Sequence, residues 1–381
     1  MRTFRHPAAS LARPAFSLHL QSTPQQPTDS HRHSVCSRIL IMTNLHPLPG
    51  DSERPTLKTI AAETGLAIAT VSRALKDAPD ISDETKRRVR ETAERLGYRP
   101  NRAGVRLRTG KTNVIAVTLS TVSDLSNPSE LIYAIAQALR GSAYHLVIMP
   151  FFPDQDPMEP IRYIVETESA DGIVLNQTQM DDPRVRYLTE RGFPFVTHGR
   201  THMGIDHPYF DFDNEAFARI AVRALAAKGR KHLALVRPPA EHSYSVHMTT
   251  GFLAETALLG LSHEIIADIT SDTPADEIEA AMINRFTRLP AIDGIISGSP
   301  SSAVACVAAA EKSGLIIGRH FDLVSKEAHG FLHRFRKEII VVEEKVGLAG
   351  SFLTRALISA IERRTPSQGQ YLDRPDHVDL K

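Results

Sequence analysis

From Asn113 onward the chain alternates short runs that are apolar almost throughout with runs of helical spacing. "NVIAVTLS" (113–120), "AYHLVIMPF" (143–151), "ADGIVLN" (170–176) and "FPFVTHG" (193–199) are the apolar runs. "SELIYAIAQALRGS" (129–142), "PIRYIVETES" (160–169) and "PRVRYLTERG" (183–192) lie between them. A strand that is apolar on both faces must be covered on both faces, the condition met by a parallel sheet flanked by crossover helices. At residue 214 the rhythm restarts. "NEAFARIAVRALAAKGR", "MTTGFLAETALLG" and "AGSFLTRALISAIERR" are helical. "KHLALVRP", "EIIADITS", "IDGIISGS", "HFDLVSK" and "EIIVVEEK" are strands. Two α/β halves of this kind can bind a ligand between them, beyond the carboxyl ends of their strands.

The residues before Asn113 have a different character. The whole chain carries a net charge of only +1, but residues 54–112 hold 14 Lys or Arg against seven Asp or Glu. The large module must therefore be acidic, and a small basic module attached to it points to an anionic partner. Residues 1–53 are rich in Pro, Ser, His and Gln and have no hydrophobic period, so they read as disordered. Asp29 is the one acid in the first 41, a superficial likeness to a transit peptide, but no long apolar region makes a secretory signal. Met42 is the preferred start, because "MTNLHPLPGDSERPTLKTIA" runs directly into the first ordered element. No apolar run reaches the roughly 18 residues of a membrane helix. The two cysteines, Cys36 and Cys306, make no metal-ligand spacing and fit a reducing, cytoplasmic compartment.

In the basic module, "PTLKTIAAETG" predicts a short helix with Ile60, Ala61 and Thr64 at helical spacing, ended by Gly65. A second helix starts near Ala67 or Ile68 and runs to Leu75, with Val71, Ala74 and Leu75 inward. Two short helices joined by a turn containing Gly form a helix-turn-helix. "DISDETKRRVRETAERLGY" supplies a third helix, N-capped by Ser82, with Asp83 and Glu84 in its first turn and Val89, Ala93 and Leu96 buried. The free face of the second helix carries Ile68, Ala69, Ser72 and Arg73, the face that enters a DNA major groove in this motif. Arg73 can donate a bidentate pair to guanine, and Ile68 and Ala69 can touch thymine methyls. Thr70 and Ser72 suit phosphate oxygens. A three-helix protein-docking module would show the same pattern.

The next stretch favours DNA. In "YRPNRAGVRLRTGKT", Pro100 turns the chain and Asn101 can cap a short helix to Leu107. Arg102, Arg106 and Arg108 flank Val105 and Leu107, a basic helix with an apolar wedge suited to minor-groove insertion. At these residues the chain resembles the LacI/GalR family of bacterial transcriptional regulators. The combination of "ATVSR", "S-x-x-T-x-x-x-V" and "LGYRPN" carries the likeness. It implies a homodimer whose headpieces read a pseudo-palindromic operator in double-stranded DNA, and a hinge helix over 101–108 with Leu107 intercalating. DNA contacts are expected to include Thr56, Leu57, Lys76, Ser82 and Thr85, and also Tyr98, Asn101 and Arg102. Two residues depart from the family pattern. Ala67 stands where a capping Ser is usual and Gly104 where a hinge Ala is usual, each costing about 1 kcal/mol.

The resemblance extends to the large module, through "LSNPSE" and "FDFDNEAFARIAVRALAAKGRKHLALV". It implies an α/β fold: an N-terminal all-α helix-turn-helix headpiece plus a two-lobed periplasmic-binding-protein-like core, with three crossings between lobes. The domains read 1–53, 54–100, 101–112 and 113–381. Effector-binding candidates lie at strand ends. His198 and Arg200 in "THGR" are donors for sugar hydroxyls or a carboxylate. In "SYSVHMTTGF", Met248 occupies the position of the family's effector-binding Arg, with His247 beside it, which suggests an effector less charged than a carboxylate or phosphate. Ser299 and Pro300 replace a family Asn and Asp, and Lys326 and Glu327 replace an Asp pair. Asn127 and Tyr133 are further candidates in the first lobe.

No P-loop, nucleophile elbow, zinc spacing or dinucleotide fingerprint is present, so neither an enzyme nor a cofactor is expected. The expected function is a transcriptional repressor of carbohydrate-utilisation genes controlled by a small sugar-like effector. The alternative is a sugar-sensing binding protein with weak DNA binding. The tail "SQGQYLDRPDHVDLK" has no heptad, so a dimer is expected and not a tetramer.

Overall fold

The computed structural model describes residues 55–99, 106, 110–120, 128–152, 154–288, 291–328, 330–364 and 369–375. The expectations for residues 1–53 and for Asn101, Arg102, Gly104, Leu107 and Asn127 fall outside them. The described chain forms two compact units, meeting between Arg99 and Pro100.

In the first unit, α1 (Leu57–Thr64), α2 (Ile68–Ala74) and α3 (Asp83–Arg95) surround a small core of Ile60, Val71, Ala74, Val89 and Ala93. Helix α1 begins with a reciprocal cap: the Thr59 amide donates to Thr56 Oγ1 at 3.3 Å, and the Thr56 amide to Thr59 Oγ1 at 3.1 Å. Gly65, at φ 67°, makes the left-handed turn between α1 and α2 that a side chain would oppose. Ser82 caps α3 through the Thr85 amide. Ala67 gives α2 no side-chain cap, as its methyl group requires.

The second unit holds two parallel sheets. The first lobe contains β1 (Val114–Ser120), α4 (Pro128–Ala138), β2 (His145–Phe151), α5 (Glu159–Thr167) and β3 (Gly172–Leu175). It continues with α6 (Pro183–Glu190), β4 (Phe195–His198) and β5 (Tyr209–Phe212). The second lobe contains α7 (Asn214–Ala227), β6 (His232–Val236), α8 (Ser243–Leu259), β7 (Ser262–Ile265) and α9 (Ala275–Phe286). It ends with β8 (Gly294–Ser297), α10 (Pro300–Lys312), β9 (Asp322–Glu327), α11 (Phe331–Phe335) and β10 (Ile340–Glu343). The chain then returns to the first lobe as α12 (Val346–Ile361) and β11 (Gln370–Asp373).

The first sheet runs β11-β5-β4-β3-β1-β2 and the second β10-β9-β8-β6-β7, with every pairing parallel. Strand β11 makes the first lobe discontinuous. The described chain crosses between lobes twice, after Phe212 and after Glu343; a third crossing would lie beyond the described residues.

Three elements differ from the expectation. Strand β2 is apolar but sits at a sheet edge, leaving Val147 and Ile148 exposed. Strand β7 lies at Ser262–Ile265, earlier than the centre of "EIIADITS". Helix α8 begins at Ser243, five residues before "MTTGF", so His247 lies in its second turn. Strands β5 and β11 are too short and mixed for periodicity to reveal; β5 pairs with β4 on one side and with β11 on the other, Tyr209 to Gln370 through Phe212 to Asp373.

Candidate functional site

In the first unit, helix α2 buries Val71 and Ala74 and exposes Ile68, Ala69 and Arg73 on one face. Thr70 and Ser72 are half-buried beside them and Lys76 is exposed. The guanidinium of Arg73 is ion-paired to Asp80 in the turn before α3. Thr85 flanks the Ser82 cap. Leu57 and Tyr98 pack partly into the headpiece core. Arg106, the one described residue of the 101–108 segment, is helical. Its guanidinium reaches the Thr167 carbonyl at 2.9 Å and the Glu168 carboxylate at 3.3 Å.

In the second unit, a cleft lies where the carboxyl ends of the strands of both lobes face each other. About 870 Å³ is free of atoms, counted out to the open mouth. Ser120, Asn176, Gln177, His198, Gly199, Asp211 and Phe212 line it from the first lobe. Asn214, Pro238, Tyr244, Ser271, Asp272, Ser299, Pro300, Lys326 and Glu344 line it from the second lobe and the crossings. The place of the cleft follows from topology: the parallel strands of each sheet end together at this gap.

Three sequence candidates meet there. His198 ends β4, and its Nδ1 lies 3.1 Å from Asn176 Oδ1; burial holds the imidazole below its usual pKa, against the pull of Glu344. Ser299 caps α10, taking the Ser302 amide at 3.2 Å and donating to the Ser271 carbonyl at 2.9 Å. Lys326 ends β9. Its Nζ lies 3.0 Å from Glu344 Oε2 and 3.0 Å from Asn214 Oδ1, and it sits over the rings of Phe212 and Tyr244.

Four other candidates stand behind the cleft wall. Arg200 Nε approaches Asp211 Oδ2 at 3.3 Å. His247 is pushed down to about 4 by burial and then by Arg200. Met248 is wholly buried in the second-lobe core. Glu327 accepts the Leu332 amide at 2.8 Å and caps α11. Tyr133 lies exposed on α4, away from the cleft.

Asn176, Asp211, Tyr244, Asp272 and Glu344 also line the cleft, although no motif in the sequence marks them. Asn176 and Glu344 directly follow strand runs, so a uniform strand-end rule would have found them. Asp211 lies in the unrecognised β5. Burial pushes the Asp211 carboxyl up to about 7, against Arg200 and Lys326, and its Oδ2 makes no hydrogen bond. Burial also raises Asp272.

The fold and its sites define a ligand-binding sensor of two α/β lobes joined to a helix-turn-helix DNA-binding module. Residues 56–101 match the bacterial regulatory proteins of the lacI family. Residues 118–331 match the periplasmic binding proteins and sugar binding domain of the LacI family, and that match spans more than half the chain. The chain belongs to the LacI family and is a DNA-binding transcriptional regulator. It is 29% identical to the HTH-type transcriptional regulator AglR of Rhizobium meliloti over 326 residues, 83% of this chain and 89% of that one. Its fold is similar to that of a chain in the crystal structure of the lac repressor dimer bound to operator and the anti-inducer ONPF. The TM-score is 0.74 at 19% identity, covering 86% of this chain and 98% of that one. It is also similar to the transcriptional regulator CelR in complex with cellobiose, with a TM-score of 0.62 at 22% identity, covering 86% and 99%. Among the described residues no helix is long and apolar enough to cross a membrane.

Proposed function

We propose that this regulator is a repressor of carbohydrate-utilisation genes whose effector is a neutral sugar bound in the cleft. The observation that carries this is the commitment of the cations. Lys326 is bound to Glu344 and Asn214, and Arg200 faces Asp211. An anionic ligand would meet the carboxylates of Asp211, Asp272 and Glu344 with no uncommitted cation among the described lining residues. A polyol can donate to those carboxylates and accept from Asn176 and Gln177. His198, Ser299 and Lys326 are the proposed effector contacts, with Arg200 and His247 supporting them from behind, while Glu327 serves the start of α11. It is a sensor and not an enzyme.

On the DNA side, α2 enters the major groove, and Arg73 reads a base edge while Thr70 and Ser72 bind phosphates. The regulator acts as a homodimer in the cytoplasm. The edge strand β2, with Val147 and Ile148 exposed on its two sides, and the neighbouring α4, with Tyr133 exposed, suit the pairing surface. The test is a melting-temperature screen with cellobiose, maltose, melibiose, raffinose and glucose 6-phosphate, followed by operator mobility shift. A neutral sugar should raise the melting temperature and change operator affinity. A response to the phosphosugar alone would refute the proposal.

A further inference from the structure

The lobes touch at a place that neither crossing explains. The loop after β3 reaches the start of α8 in the other lobe. The Ser243 amide donates to the Thr178 carbonyl at 2.8 Å, and the two hydroxyls lie 3.0 Å apart, either serving as donor. Gln179 and His242 add an antiparallel bridge. Thr178 and Ser243 are wholly buried, so these bonds are shielded from water.

Each side of this contact is fixed beforehand. In the first lobe, the buried pair Asp182–Arg184 holds the loop. Asp182 takes the Gln179 amide at 3.1 Å, and Arg184 donates to the Gln177 carbonyl at 2.9 Å. Gly199 makes room: at φ 111° its Cβ would fall 2.3 Å from Thr178 Oγ1. In the second lobe, Ser245 ties the first turn of α8 to the Pro238 carbonyl at 2.8 Å. The same loop presents Asn176 and Gln177 to the cleft, so ligand and contact share one rigid segment.

We propose that Thr178 and Ser243 form an interlobe clasp that holds the cleft shut before ligand arrives and sets both the affinity and the entry rate of the ligand. This rests on reading the cleft as the effector site. A ligand touching both lobes binds the closed form, and its apparent affinity scales with the closed fraction. Each buried hydrogen bond of the clasp shifts the closed-to-open ratio roughly fivefold, so losing one raises the open fraction by nearly that factor while the closed fraction falls much less. A shut cleft must open to admit ligand, so the clasp slows entry as well as exit. Thr178 and Ser243 are positioning residues and do not line the cleft.

Two variants of the full-length chain test this. Thr178→Val removes one hydroxyl at constant shape. Ser243→Pro removes the donor amide at the first position of α8, where proline suits the helix and His242 already has the extended backbone that precedes proline. Ligand-free small-angle scattering should give a larger radius of gyration in both. Stopped-flow binding of whichever of cellobiose, maltose, melibiose or raffinose binds the wild type should show association up to about fivefold faster, with a smaller loss of affinity. General damage to the site would weaken affinity without accelerating entry. Unchanged scattering together with unchanged association rates in folded Thr178→Val would overturn the clasp. If no sugar binds the wild type, the effector reading fails, and the scattering comparison alone decides the clasp. If Ser243→Pro does not fold, Thr178→Val carries both measurements.

Discussion

Lys326 ties the two strands by which the chain passes between lobes. Its Nζ lies 3.0 Å from Glu344 at the second crossing and 3.0 Å from Asn214 at the first. Both members of the Lys326–Glu344 pair are more than nine-tenths buried. Removing the cation leaves a buried carboxylate without it, which costs about 3–5 kcal/mol. Lys326→Met should therefore lower unfolding stability in urea by about that amount. The double variant Lys326→Met, Glu344→Gln should recover much of the loss. Additive losses would mean that the two residues do not act as a pair.

Asp211 makes the stability of the core depend on pH. Burial raises its folded pKa to about 7, with Asp213 and Glu344 adding to the rise and Arg200 and Lys326 opposing it. The folded state thus holds this proton more tightly than the unfolded chain. The associated stability is complete below about pH 4, the unfolded carboxyl value, and is lost as pH rises toward 7. Asp211→Asn cannot ionise. Its stability relative to wild type should grow by up to roughly 3 kcal/mol between pH 5 and 8, at about 1.4 kcal/mol per pH unit. Urea midpoints at the two pH values check this. A constant difference would mean that Arg200 keeps Asp211 ionised throughout.

The elements that the sequence announced are those whose local signals and tertiary surroundings agree. Gly65, the Ser82 cap and the stripe of Val89 and Ala93 located the headpiece helices because each signal acts within a few residues. The buried strands β1, β3, β6 and β8 were legible because both of their faces meet helices. Strands β5 and β11 were not, because both are four residues long and carry polar residues such as Asp211 and Gln370, and β11 is held by a partner about 160 residues away. The cleft was half legible for a related reason. Strand ends identified His198, Ser299 and Lys326, but not which strand-end side chain turns inward. Glu327 follows Lys326 directly and points to the opposite side, as alternation along a strand requires.

That alternation separates the roles of the two neighbours. Glu327 accepts the Leu332 amide and so satisfies the start of α11. Glu327→Ala should cost about 1 kcal/mol of stability, the usual value of an N-terminal cap. It should leave the dissociation constant of the effector within about twofold. Isothermal titration beside a thermal melt measures both. A tenfold loss of affinity at unchanged stability would make Glu327 an effector ligand after all.

Arg73 and Asp80 form an ion pair that the proposed base contact of Arg73 would have to break. Both side chains are about half exposed, and an exposed ion pair contributes only about 0–1 kcal/mol. A bidentate contact from arginine to guanine is worth about 1–3 kcal/mol of discrimination, so the exchange favours DNA. Arg73→Ala should therefore weaken the selected operator by about 1–3 kcal/mol and relax sequence preference at one symmetric position. Asp80→Asn should do the opposite in part. It releases Arg73 and removes a negative charge from the DNA-facing side, so affinity should rise by up to about fivefold, for operator and non-operator DNA alike. Mobility shifts from 50 to 200 mM salt, on the operator and on a scrambled duplex, separate the two effects. If Arg73→Ala lost affinity equally on both duplexes, Arg73 would be a phosphate contact, and the base-reading role would pass to another residue on the exposed face of α2.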